Sequence, residues 1–305
     1  MQTFFQPKFA PLLWRSKDQV QFGIHPTDCV RMSKEIALSI LPQQDCAVDV
    51  PDDVTPEHLI AMHREQLEPN ELSKRVDTEI VIIGAGRMGT TIAVLLANAG
   101  YPTIRVHDKQ PVTLADVTTW GASRIDVGMR RDFTAHLIIE RIYRGTWPRI
   151  LRKMQTATRK LVILCPDPVA DWPWFAPNLT DDLISKDQPH IVVASSPSNV
   201  HFSSVIVPGK SACMRCHDAH LTEIDSAWPL ITSQLIGRPM LDVTPSGLIL
   251  YAAHFITQAV HRWVIEKQAD ANRLWDIAWP SFNATYNSMS VHPACGCQWN
   301  QQYSS

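Results

Sequence analysis

The residues best equipped for chemistry fall into two groups. Cys213 and Cys216 are spaced Cys-x-x-Cys, and Cys295 and Cys297 are spaced Cys-x-Cys near the end of the sequence. Two thiolate pairs from distant segments can complete a tetrahedral zinc shell, and a closed four-cysteine shell is usually structural. A lone Cys-x-x-Cys also serves redox exchange when its first thiol sits at a helix N-terminus, but two pairs favour metal. Because Cys-x-Cys is tighter than the usual spacing, His217 or His292 is an alternative ligand in place of one cysteine.

The second group is the run Gly84-Ala85-Gly86-Arg87-Met88-Gly89, followed later by Asp108. In a loop between strand and helix, the first glycine permits a tight turn and the second lets a phosphate approach the backbone. The third lets helix and strand pack closely. Phosphate then sits at a helix N-terminus, where free N–H groups point outward. A carboxylate ending the next strand accepts hydrogen bonds from ribose hydroxyls. The pattern fits NAD and ATP equally well.

Both groups need particular elements to position them. Ile80-Val81-Ile82-Ile83 reads as a buried strand, residues 88–99 as a helix, and 103–106 as the next strand. A helix over 130–142 and strands at 161–164, 191–194 and 200–207 continue the alternation. Such alternation predicts an α/β fold, a Rossmann-like, mainly parallel sheet with helices on both faces. Residues 1–75 form a smaller α+β module, with period-two residues at 18–22 and a helical segment over 55–72 that opens Thr55-Pro56-Glu57. Residues 76–305 form the larger domain. The stretch Asp171-Trp172-Pro173-Trp174-Phe175 reads as a packed loop.

Composition narrows the function classes. With 305 residues and 45% hydrophobic content, the chain can bury a full core and still carry a small module. Lys and Arg total 28 against 30 Asp and Glu, so no broad positive field draws in nucleic acid or anionic lipid. The longest greasy stretch, 247–265, carries His254, Gln258, His261 and Arg262 and reads as a core helix, not a membrane span. The first residues lack the basic start and apolar core of a secretion signal. Seven cysteines, an odd number, favour reduced thiols or metal ligands over disulfides, which places the expected compartment in the cytoplasm.

The glycine loop, Asp108, the helix start Arg130-Arg131, Cys165-Pro166-Asp167 after a later strand, and the split cysteine pairs together resemble the ThiF/MoeB family. These are the ubiquitin-activating-enzyme-like adenylyltransferases, and the resemblance runs over 79–299. It implies that ATP, with magnesium, activates the C-terminal carboxylate of a small carrier protein or peptide as an acyl adenylate. It also implies that Asp108 is the ribose-binding acid, Arg131 stands at the phosphate-contacting lysine, and Asp167 is the magnesium-associated acid. Zinc on the four cysteines and a homodimer follow from the same resemblance. Within the N-terminal module, Leu12-Leu13-Trp14-Arg15 and Val20-Gln21-Phe22-Gly23-Ile24-His25-Pro26 resemble the winged-helix leader-peptide-binding domains of ribosomal-peptide biosynthesis. A bland shielding or dimerisation module is the competing expectation.

The sequence also departs from the family. Gln110 stands where a second acid is usual, and Arg87 where the loop usually has glycine. The Ser-Asn-Leu-x-Arg-like run reads Ala115-Asp116-Val117-Thr118-Thr119, without its arginine. Arg87 or Arg130 is a candidate to supply the missing charge. No cysteine lies between His217 and Ala294, which argues against a thioester relay, and Cys165 reads as a buried small hydrophobe. Three readings follow. The first is an ATP-dependent adenylyltransferase. The second is a non-catalytic scaffold that binds a precursor peptide for a partner enzyme. The third is an NAD-dependent oxidoreductase, which the glycine loop and Asp108 alone would equally allow.

Overall fold

The computed structural model describes residues 12–22, 30–33, 35, 74–146, 157–168, 177–235, 241–266 and 272–298. It divides into two compact units, Met1–Val54 and Thr55–Ser305. In the first, β1 (Leu12–Trp14), β2 (Gln19–Phe22) and β3 (Val30–Ser33) form an antiparallel sheet in that order. The expected helix over 55–72 and aromatic loop over 171–175 lie outside the described residues.

The second unit begins with β4 (Thr78–Ile83), α1 (Arg87–Asn98), β5 (Ile104–His107), α2 (Arg131–Thr146) and β6 (Arg159–Leu164). It continues with α3 (Asp181–Ser185), β7 (His190–Ser195), β8 (Asn199–Ser203), α4 (Met214–Ile224) and α5 (Trp228–Ser233). It ends with α6 (Ser246–Ile265), β9 (Arg273–Ala278) and β10 (Ala284–Ser288).

The sheet order is β10-β9-β8-β7-β6-β4-β5. From β5 through β4 and β6 to β7 the neighbours are parallel, joined by helical crossovers. This is the Rossmann-like half. Beyond β7 each pairing is antiparallel. Between β7 and β8 the reason is connection length: a parallel return needs a crossover of about a dozen residues or more, but only Ser196, Pro197 and Ser198 separate these two strands. Ser196 closes that turn, its amide donating to the Asn199 carbonyl at 2.8 Å while its hydroxyl accepts from the Asn199 amide at 3.1 Å. The strand expected over 200–207 stops at Ser203, because the Ser204 amide and hydroxyl both turn to the Arg273 carbonyl. Ile206 then pairs back to His190.

Alternating strand residues feed two cores. Ile80, Ile82, Leu161, Ile163, Ile191 and Val193 pack beneath residues of α1, α2 and α6. Val81, Val162, Leu164, Val192 and Ala194 face the other way, against Met214 and Cys216 of α4, with Leu183 and Ile184 of α3 at the margin. Helices thus cover both faces, and the central strands are apolar on both sides, as buried parallel strands must be. In α6, Leu248, Ile249, Ala252, Ala253, Ile256, Val260 and Val264 are buried at helical spacing, while His254, Gln258 and Arg262 are exposed. No helix of the described residues is long and apolar enough to cross a membrane.

Tight packing explains two glycines of the loop. Gly84 has φ +100°, and a Cβ there would lie 1.9 Å from the Cys165 carbonyl oxygen; one on Gly89 would lie 2.0 Å from the Gly84 carbonyl oxygen. Backbone occupies both spaces. Gly89→Ala is therefore expected to cost about 3 kcal/mol, the upper end for overpacking. Gly86→Ala, whose tightest contact would be a side-chain carboxylate, Asp167 at 3.0 Å, and not backbone, should lose less. Urea denaturation of both variants checks this; equal losses would contradict it.

Candidate nucleotide site and cysteine cluster

Asp108 immediately follows β5, and its carboxylate reaches back to the glycine loop. Its Oδ2 accepts the Ala85 amide at 2.8 Å, and its Oδ1 accepts the Gln110 amide at 2.9 Å. The chain then makes an excursion that is sewn shut at its base. The Val112 amide donates to the Met129 carbonyl at 2.7 Å, and the Gly128 amide returns to the Val112 carbonyl at 2.9 Å. The Arg131 amide donates to the Gln110 carbonyl at 2.9 Å and the Asp132 amide to the Asp108 carbonyl at 3.1 Å. These bonds set Arg131, the first residue of α2, beside Asp108.

Three carboxylates converge on the Arg131 side chain. Its Nη1 donates to Asp167 at 2.8 Å and lies 3.5 Å from Asp108. Its Nε and Nη2 grip the two oxygens of Asp116, at 3.1 and 2.9 Å. Arg131 and Asp116 are buried, whereas the Asp167 side chain is 39% exposed. Burial alone would lower the Arg131 pKa, but Asp167 and Asp116 outweigh it and hold the guanidinium above its ordinary value. Gly84, Gly86, Gly89, Asp108, Arg131 and Asp167, singled out from sequence, thus border one site.

Asp116 is the member that sequence reasoning passed over. It ends a 3-10 turn, Leu114–Asp116, where its Oδ2 accepts from the Thr113 amide and hydroxyl at 2.7 and 2.8 Å. The Thr-x-x-Asp spacing of a capping box was the available signal. Arg87 and Arg130 are both engaged elsewhere. Arg87 spans to Asp242, with Nη2 at 2.9 Å from both its Oδ1 and its carbonyl oxygen, and Arg130 pairs with Asp132 at 2.6 Å.

The four paired cysteines also converge. Cys213 caps α4, Cys216 lies in its first turn, and Cys295 and Cys297 arrive from the C-terminal segment. The Sγ separations are 3.8 Å for Cys213–Cys216, 3.5 Å for Cys213–Cys295 and 3.4 Å for Cys216–Cys297. Around a tetrahedral zinc with ordinary Zn–S bonds, sulfurs lie roughly 3.8 Å apart, so the cluster has the dimensions to hold a metal ion. The Cys216 thiol is held down, to about 4, chiefly by the Cys213 thiol. That same bond and burial push Cys213 up, and burial pushes Cys297 up to about 12. A sulfur-seeking cation takes thiolates as ligands, so metal binding here would release protons.

Neither histidine considered as a replacement is needed to complete this set of four. His292 Nδ1 accepts the Ala294 amide at 3.1 Å, which leaves Nε2 protonated to donate to Glu223 at 2.9 Å. His220, Glu223 and His292 do lie close enough to be considered for a metal, but that tautomer uses the His292 nitrogen in a hydrogen bond. Burial depresses the His217 pKa. Cys165 is a buried free thiol, its pKa raised by desolvation, as befits a packing residue.

A glycine loop at the carboxyl ends of parallel strands, an acid after the second strand and a two-segment cysteine cluster define a Rossmann-like α/β protein with a candidate nucleotide site. The chain belongs to the ThiF family, whose model matches residues 60–298. A search of curated proteins gave no match. Among solved structures, the chain is similar to E. coli MccB with ATP, at TM-score 0.59 and 19% identity over 82% of this chain and 77% of that one. It is also similar to the microcin C7 biosynthetic enzyme MccB in complex with N-formylated MccA, at 0.59 and 17% over 95% and 98%. A third likeness is PaaA, at 0.57 and 16% over 84% and 92%. At these identities the likeness is one of fold.

The burial of Arg131 carries a consequence for stability that does not depend on any ligand. Arg131→Ala strands the Asp116 carboxylate in the interior, and breaking such a pair from one side costs about 3–5 kcal/mol. Urea denaturation should show that loss; a cost below about 1 kcal/mol, typical of a surface pair, would refute the arrangement.

Proposed function

We propose that this ThiF-family protein is an ATP-dependent adenylyltransferase that activates the C-terminal carboxylate of a precursor peptide or small carrier protein. The observation that carries this reading is the meeting of Asp108, Arg131 and Asp167 against the glycine loop. They come from separate segments yet lie at the carboxyl ends of the parallel strands, the side on which open α/β sheets bind ligands. In the reaction, a carboxylate oxygen attacks the α-phosphorus of ATP, an acyl–phosphate bond forms, and pyrophosphate leaves. In this reading Asp108 would receive the ribose, Arg131 would contact the phosphates, and Asp167, whose side chain is 39% exposed, would hold magnesium, which neutralises phosphate charge when bound. The solved structures of MccB with ATP and with MccA supply the parallel for a nucleotide and a peptide partner.

The N-terminal unit, with its three-stranded sheet, serves in this reading as the peptide-binding module, and two chains pair as a homodimer. Zinc is the metal assigned to Cys213, Cys216, Cys295 and Cys297. Four sulfurs leave no open position, so its role is to staple the C-terminal segment to α4. Reduced buried thiols suit a cytoplasmic setting.

A second reading, a non-catalytic scaffold that holds a precursor peptide for a partner enzyme, is favoured by one observation. Thr119 replaces the family's arginine, and Asp116 takes two of the nitrogens of Arg131.

Calorimetry with ATP and magnesium separates the two. The adenylyltransferase reading expects wild-type binding that weakens at least about tenfold, roughly 1.4 kcal/mol, in both Asp108→Ala and Asp167→Ala, and pyrophosphate exchange once a precursor peptide is added. Peptide binding with no response to ATP would establish the scaffold, and NADH binding in its place the oxidoreductase. For the metal, elemental analysis should find one zinc per chain, lost with a lowered melting temperature in Cys213→Ser. Four freely titrating thiols in metal-free, fully folded protein would sink that assignment.

A further inference from the structure

Asp116 occupies the position where the resemblance to the family places an asparagine, and the structure shows what the added charge does. Its two oxygens bond Nε and Nη2 of Arg131 at 3.1 and 2.9 Å, with side chains only 5% and 9% exposed. Neither partner is free to swing. Thr113 locks Asp116 through its amide and hydroxyl, and Asp167 and Asp108 hold the remaining guanidinium nitrogen. A Cβ built on Gly86 would lie 3.0 Å from an Asp167 oxygen and 4.0 Å from an Asp116 oxygen. Both carboxylates therefore border the stretch of backbone that a phosphate would approach.

The formal count around Arg131 is three carboxylates to one guanidinium, two negative charges in excess. Arg87 and Arg130 do not redress it, since Asp242 and Asp132 take them. We infer that Asp116 is a positioning residue that fixes Arg131 and cancels its charge, so that this pocket binds a nucleotide's triphosphate only as its divalent-cation complex. The inference rests on the nucleotide reading given above and adds to it a rule of selection. Without a divalent cation, each added phosphate weakens binding, because its charge meets a net negative wall at short range.

The test measures binding of adenosine, AMP, ADP and ATP to the full chain, with EDTA or with magnesium, at low and high sodium chloride. In EDTA, wild type should prefer adenosine to ATP, and salt should strengthen ATP binding by screening repulsion. Magnesium should restore ATP. In Asp116→Asn, ATP in EDTA should gain at least about tenfold relative to adenosine, the scale of one unit charge removed at close range.

ATP binding that is tighter than adenosine in EDTA and weakens with salt would overturn the inference while leaving the nucleotide reading intact. Equal loss of adenosine and ATP in Asp116→Asn would also overturn it, by showing a merely structural role. Should that variant fail to fold, the wild-type salt series decides by its sign. A chain that binds none of the four ligands under any condition overturns the nucleotide reading and this inference together.

Discussion

A guanidinium removed from water must be met by carboxylates and hydrogen-bond acceptors, and in this protein that requirement at Arg131 organises the surrounding chain. Desolvation of a charge costs several kcal/mol, so Arg131 is tenable only where Asp116, Asp167 and Asp108 reach it. Those acids lie on three segments: the end of β5, the excursion that follows it, and the end of β6. Each must arrive within hydrogen-bond distance at once. The bonds from Arg131 and Asp132 amides to the Gln110 and Asp108 carbonyls close the excursion and fix the start of α2. Asp108 in turn holds Ala85, so the geometry of the glycine loop and the placement of the buried cation are one problem with one solution.

The cysteine cluster solves a different problem. The last described segment, 289–298, makes few regular pairings of its own, yet Met289 and Cys297 are buried in the second core beside Cys213, Met214 and Cys216. Backbone hydrogen bonds there are sparse, with Met289 donating to the Asn272 carbonyl, Gly209 to the Cys297 carbonyl and Cys295 to the His292 carbonyl. Four sulfurs 3.4–3.8 Å apart bring that segment against the start of α4. Glu223 adds a tether by accepting from His292 at 2.9 Å. The C-terminal segment is thereby held to α4, the helix that covers the second face of the sheet.

What could be read in the sequence follows from the range of the forces involved. The strand at Ile80–Ile83, the helix after it, Gly100 at its end with φ +83°, and the strand carrying Leu161–Leu164 all rest on local periodicity and turn chemistry. The antiparallel half of the sheet did not announce itself, because strand direction depends on connection length and the strands β9 and β10 are only partly apolar, with Thr285, Tyr286 and Asn287 exposed. Ion pairs were hidden for a plainer reason. Arg87 and Asp242 are 155 residues apart in sequence, and nothing local to Arg87 distinguishes a buried clamp from a solvated arginine. The Thr113–Asp116 cap was legible, but its second role, gripping Arg131, emerges only when α2 folds back.

The departures from the family's usual residues look different once their partners are known. A pocket drifting without constraint accumulates buried polar groups that lack partners, each costing about 1–3 kcal/mol. Here Gln110 serves through its backbone, bridging Asp108 and Arg131. Arg87 is bidentate to Asp242, and Asp116 satisfies both its own turn and Arg131. Among the described residues, no buried side-chain atom left without a partner belongs to Asp108, Asp116, Arg131 or Asp167. The substitutions therefore preserve order at the site while redistributing its charge. Structural integrity fits a site that turns over and one that only binds alike, and the charge beside Gly86 bears only on which ionic form of a ligand can approach the loop.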